Sequence, residues 1–203
     1  MKLKNLAVVG LLAAGSVEAS VISYTGVFDN DETRFYTTFG VSTDSQVTLS
    51  SLGYAGGVNG AGETILDGGF DSQLFIFDSA GALLEHDDDD GSIVSASSNK
   101  SWDAYISRYL TAGTYTAVLT QYNSDYISGD LITGNWSVSG VNNFLDVSGS
   151  QRTNAYAFDI SGDYLTDVNG FDTDPVSVSE PATFALLGLG LAGFGFARRQ
   201  KQS

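Results

Sequence analysis

Gly68-Gly69-Phe70-Asp71-Ser72-Gln73-Leu74-Phe75-Ile76-Phe77-Asp78-Ser79-Ala80-Gly81 is the stretch on which the fold turns. A short apolar and aromatic run, Gln73 to Phe77, lies between a glycine pair and the turn Asp78-Ser79-Ala80-Gly81, as a β-strand with a following turn requires. Working outward, β-rich or alternating runs recur at Val21 to Phe28, Thr33 to Phe39, Gln46 to Leu52, Tyr105 to Leu110, Thr114 to Tyr122, Trp136 to Val141 and Ala155 to Ile160. Clusters of Gly, Asn, Asp and Ser separate them. Helical stretches long enough for parallel crossovers are missing from the pattern. The expectation is an all-β chain folded as a single β-sandwich or jelly roll.

The body of that fold is expected over residues 20–176, and a stretch of this length builds one full core. Cysteine is absent from the sequence. No disulfide framework and no thiol chemistry is therefore available, and stability has to come from the core or from a bound ion. The chain carries 9 basic and 24 acidic residues, a formal net charge of −15. Lys2, Lys4, Arg198, Arg199 and Lys201 sit at the two ends, so the middle is more acidic still. A body of this kind repels nucleic acid and anionic lipid and attracts divalent cations.

The ends have a different character. Residues 1–19 open on Lys2 and Lys4, run apolar from Leu6 to Ala14 and close on Val17-Glu18-Ala19, the pattern of a secretory signal peptide cut between Ala19 and Ser20. The apolar run is too short to span a bilayer. At the other end, residues 177–203 hold Glu180-Pro181, an apolar block from Ala182 to Ala197, and Arg198, Arg199 and Lys201 behind it. Positive charge stays on the cytoplasmic side, which places the body outside. Pro181 suits the first turn of a helix, where no N–H is needed.

This tail resembles the PEP-CTERM sorting signal of exopolysaccharide-producing bacteria. Glu180 and Pro181 match the motif, with Ser179 in the place of its first proline, and the Leu/Gly-rich block and the Arg198-Arg199 pair follow in order. The resemblance implies processing by exosortase, a membrane transpeptidase, after transient anchoring in the inner membrane by the C-terminal helix. It further implies a location at the cell surface or in the extracellular matrix, among exopolysaccharide or other matrix components. A plain tail anchor is the alternative.

Two loops stand out. Gly53 to Gly69 holds seven glycines and reads as a flexible excursion, and it is no phosphate loop because neither GK[ST] nor a helix follows. His86-Asp87-Asp88-Asp89-Asp90-Gly91 places four carboxylates in a row. They repel one another unless solvated or bound to a cation, and calcium, with six to eight oxygen ligands in irregular geometry, suits them. The spacing is not that of an EF-hand, and a solvated acidic loop fits the sequence equally well. Asp29-Asn30-Asp31-Glu32 is a further acidic group, which reads as a polar turn more readily than as part of a calcium site.

The stretch from Gly68 to Asp78, followed by Gly81, Leu84, Asp88 to Asp90 and Leu110-Thr111-Ala112-Gly113-Thr114-Tyr115, resembles the β-sandwich of bacterial pre-peptidase C-terminal domains. Secreted PEP-CTERM proteins that share this core continue with an Arg-containing strand, here Gln151 to Ile160. Some such domains bind calcium through acidic loops and carry no chemistry of their own. Carried over by position, the resemblance implies Asp71, Asp88, Asp89, Asp90 and Asp103 as metal ligands.

The sequence argues against an enzyme. His86 is the single histidine, no G-x-S-x-G elbow accompanies it, and zinc chemistry lacks ligands. A carboxylate-pair glycosidase is the remaining enzymatic alternative. A carbohydrate-binding module is another, since Tyr54, Tyr105, Tyr109, Tyr122, Tyr126, Trp102 and Trp136 include candidates for an exposed stacking platform. Most aromatics of a sandwich fill its core.

Overall fold

The computed structural model describes residues 19–89, 92–138, 140 and 143–173. The expected signal peptide, apart from Ala19, and the expected sorting segment lie outside these residues, as does Asp90. Among the described residues every regular element is a strand. In chain order these are β1 (Ser20–Val27), β2 (Phe35–Val41), β3 (Ser45–Ser51), β4 (Gly57–Val58), β5 (Thr64–Ile65), β6 (Ser72–Asp78), β7 (Leu83–Asp87), β8 (Tyr105–Leu110), β9 (Gly113–Gln121), β10 (Tyr126–Ser128), β11 (Asn135–Trp136), β12 (Ala155–Gly162) and β13 (Leu165–Asp172).

A four-stranded sheet runs in the order β1-β12-β3-β8 and a five-stranded sheet in the order β13-β2-β9-β6-β7, with every pairing antiparallel. The main core takes residues from both: Val47, Leu49, Ile106, Phe158 and Ile160 from the first, Phe35, Phe39, Leu74, Ile76 and Leu119 from the second. The sheets thus pack in the layers of a sandwich. Burial of each such side chain is worth roughly 1.5–3 kcal/mol, and this is the fold's main support in a chain without cysteine.

β6 explains the apolar run that announced the fold. Leu74 and Ile76 turn into the main core, whereas Phe75 and Phe77 turn to the opposite face. There they join Tyr36 and Val118 in a second cluster, and Tyr126, Leu131 and Trp136 of the β10–β11 arm pack against it. A strand covered on both faces has no need of polar alternation.

The Gly53–Gly69 segment differs from the flexible excursion its glycines suggested. It carries the β4–β5 hairpin, in which Gly57 pairs with Ile65 and Val58 with Thr64. Gly69 N–H donates to Gly53 O at 2.8 Å, closing the loop at its base. A Cβ at Gly69 would lie 2.5 Å from both Ala155 O and Gly53 O, so glycine is here a condition of close backbone packing. His86 and Asp87 also differ from expectation: they end β7 instead of lying in a loop. Of the run expected from Trp136 to Val141, only Trp136 is in a strand among the described residues, with Asn135 before it.

Candidate metal centre

β6 and β7 are antiparallel neighbours, with Leu74 opposite Asp87. The chain leaving β7 therefore runs back beside the residues that lead into β6. This register brings Asp88 and Asp89 to Asp71, and one carboxylate oxygen from each lies within 4.8 Å of the others. Asp71 is 3% exposed, while Asp88 and Asp89 are exposed residues at the rim. The arrangement is one deep carboxylate with two above it, open on one side.

Its electrostatics are unfavourable as they stand. Burial first, then the charges of Asp88, Asp89, Asp146 and Asp103, push the Asp71 carboxyl up to about 8. Desolvation, followed by Asp89, Asp125 and Asp87, raises Asp88 to about 6, with the Gln73 amide opposing. Asp89 is raised by burial and by Asp87. Carboxylates crowded in this way hold either protons or a cation. The donor set is all oxygen and partly open to solvent, which fits calcium, a hard ion that accepts irregular geometry and completes its shell with water. Zinc, which prefers nitrogen and sulfur, fits poorly.

Asp103 has a different role. Its Oδ1 accepts from Ser51 Oγ at 2.9 Å and from Tyr54 N–H at 3.1 Å, and its Oδ2 accepts from Ala55 N–H at 2.8 Å. It is 2% exposed and holds the turn after β3, apart from the three converging carboxylates. Asp31 likewise serves structure, accepting from Asn143 N–H at 2.9 Å and Phe144 N–H at 2.7 Å. The Asp29–Glu32 group is a turn tied to the loop before β12. Asp87 accepts from Tyr105 N–H at 2.8 Å and links the edges of the two sheets.

Arg152, 8% exposed, is a buried charge; the Arg-containing strand expected from Gln151 begins only at Ala155, so Arg152 lies in the connection before β12. Its guanidinium donates to Gly69 O at 3.0 Å, Tyr54 O at 2.6 Å, Ser97 Oγ at 3.1 Å and Asp67 Oδ1 at 3.2 Å. Burial opposes ionisation of Asp67, but hydrogen bonds from Ser97 and Ser95 and the charge of Arg152 outweigh it and bring the carboxyl down to about 2. The aromatics sort clearly. Trp136 packs edge-on to Phe75 and Phe77 and donates to Leu131 O at 3.0 Å. Trp102 lies against Tyr54, 5.3 Å between centroids. Tyr105 and Tyr109, by contrast, are 43% and 64% exposed.

Residues 177–199 carry the PEP-CTERM protein-sorting motif. The PEP-CTERM motif indicates an exported protein with a C-terminal sorting signal and implies exosortase as its processing partner. It falls within the segment expected from Glu180, Pro181, Arg198 and Arg199. No curated protein matches the chain.

Proposed function

We propose that this is a non-enzymatic, exported surface or exopolymer-matrix protein whose β-sandwich is stabilised by calcium. Export and processing rest on the sorting motif at residues 177–199. Calcium stabilisation rests on one observation: a carboxylate 3% exposed, with those of Asp88 and Asp89 around it, their oxygens within 4.8 Å. Asp71, Asp88 and Asp89 would hold the ion, and Asp90, next in sequence, is a further candidate ligand. The ion would neutralise the cluster and tie the end of β7 to the start of β6. That is a structural task, and it suits an acidic protein working in the open, where millimolar calcium is available.

Thermal unfolding of the purified protein in calcium and in excess chelator tests the reading. An ion at 100 times its dissociation constant adds about 2.7 kcal/mol to the native state. The midpoint is expected to rise with calcium and fall on chelation, and a midpoint indifferent to both removes calcium from the proposal. A surface or matrix location is tested separately, by fractionating cells and probing the cell surface and the shed exopolymer for the protein.

A further inference from the structure

We propose a glycan-binding platform on the outer face of the four-stranded sheet, built by β3 and β8 around Tyr105 and Tyr109. Residues of β8 alternate, so Ile106 and Leu110 turn into the core while Tyr105, Ser107 and Tyr109 turn outward. The β3–β8 register sets Ser50 beside Tyr105, Thr48 beside Ser107 and Gln46 beside Tyr109. Six side chains thus form three cross-strand rows on one face of the sheet. Gln46 Nε2 donates to Ser107 Oγ at 2.9 Å, and Thr48 Oγ1 and Ser107 Oγ lie 3.4 Å apart. The middle of the surface is therefore a preformed strip of hydroxyl and amide groups. Tyr109 Oη donates to Asp44 O at 3.3 Å, which fixes the ring at the sheet edge while leaving it 64% exposed.

The other half of the same sheet face is covered in part. Gly60 N–H donates to Asp159 Oδ2 at 2.7 Å and Ala61 N–H to Ser23 Oγ at 3.0 Å, so the β4–β5 hairpin lies over β1 and β12. The β3–β8 half has no such cover among the described residues.

Charge selects the occupant. None of the six residues is Asp, Glu, His, Lys or Arg, on a chain whose net charge is −15. A nucleic acid or anionic surface is repelled by the rest of the molecule. A protein partner anchors on a desolvated apolar centre, and here the centre is hydroxyl and amide. A neutral polysaccharide presents the complement: hydroxyls for the strip, and apolar ring faces for two tyrosines that stand about 13 Å apart along the strand, four residues at about 3.3 Å each. That separation engages more than one sugar of a chain, and tyrosine gives large contact area at small entropic cost. Calcium plays no part in the platform.

Affinity electrophoresis of the purified full chain in native gels containing a soluble neutral β-glucan, dextran or galactomannan tests this. The protein is expected to be retarded by at least one of the three, and Tyr105→Ala with Tyr109→Ala together to weaken retardation roughly tenfold or more. Tyr105→Phe with Tyr109→Phe should keep most of it, because the ring and not the hydroxyl does the stacking. Both pairs lie on the surface and should leave the unfolding midpoint within a few degrees of the parent's, which separates loss of binding from loss of fold. Retardation that survives the alanine pair, or no retardation of the parent by any of the three polymers, overturns the proposal whatever the calcium response shows.

Discussion

The guanidinium carbon of Arg152 lies 3.9 Å from the centroid of the Tyr54 ring, and the same guanidinium hydrogen-bonds the Tyr54 backbone oxygen. One residue at the entry to β12 thereby fastens the turn after β3 by its ring and its main chain together. Through Gly69 O and Asp67 it reaches the far end of the glycine-rich segment, and through Ser97 the loop before β8. Three connections at this end of the sandwich meet on a single fork of donors.

Arg152→Ala should therefore be among the most destabilising single changes in the protein. It takes the guanidinium from Gly69 O, leaves Tyr54 O with Gly68 N–H alone, and removes the cation beside a carboxylate whose low pKa depends in part on it. Breaking a buried pair from one side costs about 3–5 kcal/mol. Urea unfolding followed by tryptophan fluorescence should show the midpoint drop with little change in slope. Arg152→Lys should recover only a small part, since one ammonium cannot reproduce the planar fork.

Asp71 and Asp103 offer a contrast between two buried carboxylates. Asp103 is satisfied by Ser51 Oγ and the Tyr54 and Ala55 amides, so Asp103→Asn, which keeps one acceptor oxygen, should destabilise the protein by about 1–3 kcal/mol with or without calcium. Asp71 is raised by burial and by its acidic neighbours, so Asp71→Asn should raise the unfolding midpoint in chelator and abolish the rise on adding calcium. Parallel melts of both variants in calcium and in chelator check the pair. An Asp71→Asn protein that still gains from calcium would place the ion elsewhere.

How far the sequence foretold these positions depends on the distance over which each is specified. Strand β8 was read to its boundaries, and β6 and β9 to within one residue at each end, because an alternating or continuous apolar run is a local signal. β13 was missed: Leu165-Thr166-Asp167-Val168-Asn169-Gly170-Phe171-Asp172 has the polar composition of a loop, and it is a strand only because β2 offers it an edge. The nearness of Asp88 and Asp89 to Asp71 follows from the β6–β7 register, which acidic residues in sequence do not reveal. Asp103 looked like its companions by residue type, and the donors around it, Ser51 Oγ and the Tyr54 and Ala55 amides, set it apart.

Acidity should affect the calcium-free and calcium-bound protein in different ways. The Asp71 carboxyl, pushed up to about 8 in the fold, would titrate near 4 in the unfolded chain. Between those values the native state binds more protons than the unfolded state, so stability falls as pH rises through that window. Asp88, raised to about 6, adds in the same direction over the lower part of it. In chelator the midpoint should therefore climb as pH is lowered from 8 toward 5, until other carboxylates begin to protonate. In saturating calcium the trend should flatten or reverse, because protons then compete with the ion. Melts at half-unit pH steps in the two conditions give the comparison, and identical profiles would mean that the cluster does not exchange protons for calcium.

Trp136 closes the outer face of the five-stranded sheet, and its contacts decide between stability and recognition. Its ring meets Phe75, Phe77 and Tyr126 edge-on or nearly so, Arg34 lies 4.8 Å from its centroid, and its indole N–H is bonded to Leu131 O. β10 and β11 are too short to stand alone and depend on this cluster for their position. Trp136→Ala should accordingly cost about 3–5 kcal/mol and loosen the arm, seen as faster amide exchange at Tyr126 to Trp136. Binding to neutral polysaccharide should persist in this variant at temperatures where it remains folded, because the proposed platform lies on the other sheet. Loss of binding with the fold intact would move the recognition surface from Tyr105 and Tyr109 to the β10–β11 arm.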